Sequence, residues 1–125
     1  MRSTMPITNA EWKIMELLWE KSPRTITELT RSLKEDTGWT KQTIINMLRR
    51  MEEKGRVKYE ESSKAKLFYP TITKDKAEKE ETDALIEKAF SGSPSLMIST
   101  MIQKYELNDT AINDIINLIG EKREK

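Results

Sequence analysis

The 125 residues include no cysteine and no histidine. The chain therefore has no disulfide, no thiolate iron–sulfur cluster, no cysteine or histidine zinc finger, no cysteine nucleophile and no histidine general base. The lack of cysteine suits a reducing compartment. Glycine and proline are scarce, with 4 of each, so most of the chain is expected in regular structure. No apolar run approaches the ~20 residues that a membrane span needs. The stretch from Met1 to Asn9 has no apolar core of the secretory kind. The expectation is a cytoplasmic protein without stable membrane association, and neither a metal nor a cofactor is expected.

Charge of one sign is also missing. Lys and Arg number 22, Asp and Glu 21, and the formal net charge is +1. The balance hides an asymmetry: residues 1–73 carry 14 basic and 10 acidic side chains, and residues 74–125 carry 8 and 11. Hydrophobic residues are 36% and charged residues 34%. That is too polar for one large core, but the apolar residues fall in periodic blocks, which argues against disorder.

The blocks read as follows. In ITNAEWKIMELLWEKSP, Thr8 and Glu11 form a capping-box signature with Ile7 as staple. Trp12, Met15, Leu18 and Trp19 line one face and Ile14 and Leu17 broaden it, so a helix is expected over about 9–20, ended by Pro23. Thr25 with Glu28 is a second capping box, and Ile26, Leu29 and Leu33 give a helix of about 26–35 stopped at Gly38. Thr40 is a candidate cap for a third helix of about 41–53, with Ile44, Met47, Leu48 and Met51 as its stripe and Gly55 beyond it. The period then changes to two. Val57 and Tyr59, then Leu67 and Tyr69, predict a hairpin of about 56–60 and 66–70, closed by Pro70. Residues 71–90 are charge-dense, and Thr73 is a candidate cap. After the break SGSPS, Leu96, Met97, Met101 and Ile102 predict a short helix. Another is expected from Leu107 to Ile119, capped by Asn108 or Asp109.

Three helices followed by a hairpin in about 65 residues is the order of a winged helix-turn-helix. The fold class expected is mainly α, with a winged domain over 1–73 and a helical dimerisation domain over 74–125. The third helix would be the reading element. Gln42 and Asn46 carry amides that match an adenine edge, and Thr43 has a hydroxyl for a base or phosphate and a methyl for thymine. Thr40, Lys41, Arg49, Arg50 and Lys54 add polar and basic groups to the same element. Lys64 and Lys66 are expected at the hairpin tip, where a wing tracks phosphate. The tryptophans and the 7 methionines are read as core residues rather than as ligand platforms. In the second half, Leu85, Phe90, Leu96, Met101, Ile102, Leu107, Ile112, Ile115, Ile116 and Ile119 form an apolar face too rich for a solvated tail. Short helices cannot bury it alone, and a second copy of the chain would.

These blocks resemble the BlaI/MecI/CopY family of bacterial winged-helix repressors, also called the penicillinase repressor family. The similarity lies in ITNAEWKIMELLW, in WTKQTIINMLRRMEEKG, in the FYP of the second wing strand and in SGSPSLMISTMIQK. It spans nearly the whole chain. The resemblance implies binding to a palindromic double-stranded DNA operator by a homodimer, with no enzymatic activity. Gln42 takes the place of a family Lys that contacts bases, Asn46 that of a Thr, and Ile45 that of a polar residue. Thr43, Arg50, Lys54 and Gly55 match the family pattern. The departures bear on the operator sequence and leave DNA binding intact. Copper-responsive members carry a Cys-x-Cys cluster, which a chain without Cys lacks. Antibiotic-responsive members are cleaved at an Asn-Phe bond, and the matching pair here is Ser99–Thr100. A sensor protease is thus a partner that the resemblance allows, with another cleavage preference.

Two other readings stand beside the repressor. An enzyme would need an isolated pair of carboxylates, and the acidic residues here sit among Lys and Arg at helical surface spacing. A winged helix used for protein assembly, without operator binding, is the alternative that the amide-bearing helix face and basic hairpin oppose.

Overall fold

The computed structural model describes residues 6–124. Six helices and one hairpin follow in the order α1 (Asn9–Glu20), α2 (Ile26–Thr37), α3 (Lys41–Glu53), β1 (Val57–Glu61), β2 (Lys66–Pro70), α4 (Lys74–Ala89), α5 (Pro94–Lys104) and α6 (Asp109–Arg123). The mainly α winged helix-turn-helix expected from the pattern is the fold observed. The chain divides into two compact units after Glu81, and each is described by itself.

In the first unit the helix starts are where the local chemistry puts them. The Thr8 hydroxyl accepts from the Glu11 N–H at 3.1 Å while Glu11 accepts from the Thr8 N–H at 2.9 Å. Thr25 and Glu28 repeat the exchange at 3.1 and 2.9 Å. Each box satisfies two donors that a helix N-terminus leaves without partners. Thr40 caps α3, accepting from the Thr43 N–H at 3.2 Å. The second helix runs on to Thr37, past the expected end at 35, because the Thr37 hydroxyl donates to the Leu33 carbonyl at 2.8 Å. Gly38 at φ 68° then stops it. Arg24 closes α1 from outside, its Nε donating to the carbonyls of Leu17 and Lys21 at 2.9 Å each.

The hairpin pairs antiparallel from Val57 opposite Pro70 to Glu61 opposite Lys66. Its first strand starts one residue later than the spacing predicts. The Arg56 N–H is taken by the Met51 carbonyl at 2.9 Å, in the turn that leaves α3. Arg24 adds a third, one-residue rung, exchanging both backbone hydrogen bonds with Phe68 at 3.1 and 2.9 Å.

Ile14, Met15 and Leu18 of α1 meet Leu29 and Leu33 of α2 and Ile44, Met47, Leu48 and Met51 of α3 in one core. Val57, Phe68 and Ala77 close it from the hairpin and α4. The α1 stripe is centred on Ile14, Met15 and Leu18, all within the expected face. Trp12, Trp19 and Trp39 pack at its margin. The Trp12 and Trp19 rings meet edge to face at 5.3 Å, and the Trp19 indole N–H donates to the Ile72 carbonyl at 2.8 Å. Their size and polar N–H favour such a half-buried place. Arg56, itself buried, pairs with Glu80 on α4 at 3.0 Å.

The second unit holds the rest of α4 with α5 and α6. Ser93 caps α5, accepting from the Leu96 N–H at 3.1 Å, and Asn108 caps α6, accepting from the Ala111 N–H at 2.8 Å. No described residue beyond Glu81 is buried. Among the described residues, no helix is long and apolar enough to cross a membrane.

Candidate nucleic-acid interface

The buried stripe of α3 fixes what its other side presents. With Ile44, Met47, Leu48 and Met51 turned inward, a 3.6-residue period puts Gln42, Asn46 and Arg49 on the opposite face. Gln42 and Arg49 are exposed and Asn46 is half-buried. The two amides touch: Gln42 Nε2 donates to Asn46 Oδ1 at 3.1 Å. Thr43 and Arg50 flank this face on one side, and Ile45 flanks it on the other. Lys41 stands exposed in the first turn. Thr40 is used by the helix itself as the cap, and its hydroxyl lies 3.1 Å from that of Thr43. None of Lys41, Arg49, Arg50 or Lys64 forms an ion pair with another described residue.

On the Ile45 side, α3 meets the hairpin. Ile45, Arg49, Tyr59, Lys66 and Phe68 line one hollow together with Ile26, Leu48 and Glu52. Lys66 stands exposed at the turn end of the ladder, where the spacing puts it. It is the first residue of β2, opposite Glu61, and its ammonium lies 4.3 Å from the centre of the Tyr59 ring. Of the two expected tip lysines only Lys64 belongs to the turn, which Ser62 closes by accepting from the Ala65 N–H at 3.1 Å. Lys58, outside the expected set, stands exposed on the same hairpin beside the Tyr69 ring. Its signal was in the alternation, out of phase with Val57 and Tyr59.

Lys54 is the main correction. Its ammonium is 2.7 Å from Glu11 Oε1 and 3.2 Å from the Pro6 carbonyl, with its side chain only 10% exposed. A cation held inside by a buried carboxylate is not available to phosphate, so Lys54 leaves the contact set. Burial alone would push the Glu11 carboxyl up. The Lys54 hydrogen bond and charge, with the Thr8 N–H, more than offset it and hold that carboxyl below its ordinary value.

The second unit carries the residues expected for self-association. Leu85, Leu96, Met101, Ile102, Ile112, Ile116 and Ile119 are exposed, and Phe90 and Ile115 are half-buried. An apolar groove runs between α5 and α6, lined by Ile102, Leu107, Ile112 and Ile116 among others. Tyr105 joins its rim, and Ile98 and Leu118 are exposed as well, three residues that the sequence reading passed over. Ser99 and Thr100 lie in the middle of α5, where the Ser99 hydroxyl donates to the Leu96 carbonyl at 3.1 Å.

Comparison with known proteins places this architecture. The chain is 20% identical to the methicillin resistance regulatory protein MecI of Mammaliicoccus sciuri over 95% of its own length and 97% of the relative's. It is also 20% identical to the penicillinase repressor of Bacillus licheniformis, over 100% of this chain and 98% of that one. A solution structure of the monomeric form of B. licheniformis BlaI in complex with the blaP half-operator superposes with a TM-score of 0.51 at 25% identity, covering 60% of this chain and 92% of that one. The model of the family described as penicillinase repressor matches residues 7–121. The chain belongs to the penicillinase repressor family, non-catalytic winged-helix regulators of transcription.

Proposed function

We propose that this protein is a dimeric repressor that binds a palindromic operator. The observation that carries the reading is the outward face of α3. It presents Gln42, Asn46 and Arg49 with Thr43 and Arg50 beside them, on a helix whose other side is locked into the core. Such a helix enters the major groove with its first turns against base edges. Lys41, Arg49, Arg50 and Lys64 supply positive charge for phosphate, which positions the protein without reading sequence. The half-operator complex of the B. licheniformis relative supports the same use of the fold here.

The winged domain of residues 1–73 does the binding, and residues 74–125 dimerise it through the apolar residues of α4, α5 and α6. Two recognition helices then meet major grooves about 34–36 Å apart, or a multiple of it. Likeness to the methicillin and penicillinase regulators supports a place in antibiotic resistance. Relief of repression by a sensor protease would act on α5 near Ser99–Thr100. That bond sits inside a helix, so cutting it requires α5 to open locally. The site of action is the cytoplasm, where the operator is.

The test is selection of bound sequences from random duplex DNA by the full-length protein, followed by titration against salt. The expected result is a palindromic consensus and an affinity that falls steeply with salt. Weak binding to all sequences with no consensus, or none at all, refutes it in favour of a winged helix that binds protein.

A further inference from the structure

Resting on the operator-binding reading, the geometry points to Gln42 and Asn46 acting as one reading unit in which Gln42 takes an adenine and Asn46 takes an acceptor-bearing base in the adjoining pair. A glutamine or asparagine side chain offers one acceptor oxygen and two N–H donors. The bond from Gln42 Nε2 to Asn46 Oδ1, 3.1 Å, uses one Gln42 donor and aims the Asn46 oxygen back along the helix at Gln42. What Gln42 still presents is its Oε1 and its second N–H. That acceptor–donor pair matches the N6 amino group and N7 of adenine, the bidentate pattern that amides use in the major groove. What Asn46 still presents outward is its amide nitrogen, a donor. A donor finds O6 and N7 of guanine, O4 of thymine or N7 of adenine, and it finds nothing on the N4 amino group of cytosine.

Without the bond the two residues would be independent, and each would prefer adenine. With it they divide the work. The neighbours agree with this division. Arg49, on the same face one turn on, extends the donor side, and Ile45, one turn from Gln42, offers an apolar contact of the kind a thymine methyl takes. The pair is half exposed rather than buried, so the bond sets the direction of the amides and does not hold the fold.

The consequence is coupling. Removing the Gln42 amide frees Asn46 to turn over and present oxygen and nitrogen together, so its preference should move toward adenine. The experiment is selection from random duplex DNA by the full-length protein and by Gln42→Ala, Asn46→Ala and the double variant, with thermal melting to check folding. Affinities for the selected site and its single-base changes complete a double-mutant cycle. The unchanged protein should select adenine next to a position that rejects cytosine in each half-site. Gln42→Ala should lose roughly 10-fold of discrimination at the adenine and also shift the adjoining position toward adenine. Replacing the selected adenine by 7-deazaadenine should weaken the unchanged protein and leave Gln42→Ala unaffected. Two independent, additive losses, or selection of cytosine under Asn46, overturns the joined unit while leaving operator binding standing. Failure of the unchanged protein to select any consensus overturns both.

Discussion

The ammonium of Lys54 lies 2.7 Å from the Glu11 carboxylate, joining the residue that caps the C-terminus of α3 to the first turn of α1. Both side chains are almost wholly buried. Glu11 also accepts from the Thr8 N–H, so one carboxylate serves as the far half of a capping box and as the anchor for the end of α3. The arrangement fixes where α3 ends against α1, and with it the angle at which Gln42 and Asn46 leave the body of the domain.

Glu11→Gln should therefore cost about 1–3 kcal/mol of stability, the range for a buried partner left unsatisfied. The sign of the pH dependence follows from the depressed carboxyl. Its contribution is complete above the ordinary value of 4.5 and disappears as pH falls through the lower folded value. Denaturant unfolding of both proteins at neutral pH and at successively lower pH measures it. The gap between them should be widest near neutrality and close in acid. A gap constant down to strong acid would mean that the ion pair is not its source.

The wing separates two lysines that composition alone treats alike. Lys64 belongs to the turn, whereas Lys66 lies over the Tyr59 ring. Lys64→Ala should weaken binding to all DNA sequences alike and lower the salt slope by about 1 per protomer. Lys66→Ala should move the slope less and lower hairpin stability, because the lost contact is cation–π in part. Equal slope changes from the two substitutions would place both ammonium groups on phosphate.

Gly55, between α3 and the wing, adopts φ +76° with nothing within 4 Å of where a Cβ would stand. Gly55→Ala meets no clash, so its cost is that of a left-handed backbone, about 1–2 kcal/mol. The thermal midpoint should fall while salt slope and base preference stay as they are. A changed base preference would show that the turn sets the pose of the wing on DNA.

Local features were legible in the sequence because local chemistry makes them. Thr8 with Glu11, Thr25 with Glu28, Thr40 and Gly38 mark helix ends through groups three or four residues apart. The α3 stripe of Ile44, Met47, Leu48 and Met51 told which face was turned outward. Long-range pairings leave no such period. Nothing near Lys54 announces Glu11, 43 residues away in sequence. Nothing near Arg24 announces its rung with Phe68, nor near Arg56 its partner Glu80. A basic residue in a basic stretch reads as a surface charge until a distant carboxylate or ring is found against it. Lys54 reads as a surface charge for that reason, and the Tyr59 ring against Lys66 leaves no mark in the pattern.

The same logic bears on the second unit, where no described side chain is buried. Ile116 and Ile119, on α6, are 58% and 52% exposed. Such exposure of β-branched aliphatic residues beside an apolar groove favours association through that groove. Replacing both, as Ile116→Asp with Ile119→Asp, removes little packing from a monomer but puts two carboxylates into a self-association surface. The full-length protein should sediment as a dimer, and the double variant as a monomer at the same micromolar concentration. Circular dichroism should show the winged unit still folded, since its core contains neither residue. Operator affinity should drop by roughly 10²–10⁴-fold, the gain that linking two binding modules supplies. Affinity for an isolated half-site should stay within error of the parent, because α3 and the wing are untouched. A double variant that remains dimeric would move the interface elsewhere on the chain. A monomeric variant with undiminished operator affinity would show that the two half-sites are not bound as a linked pair.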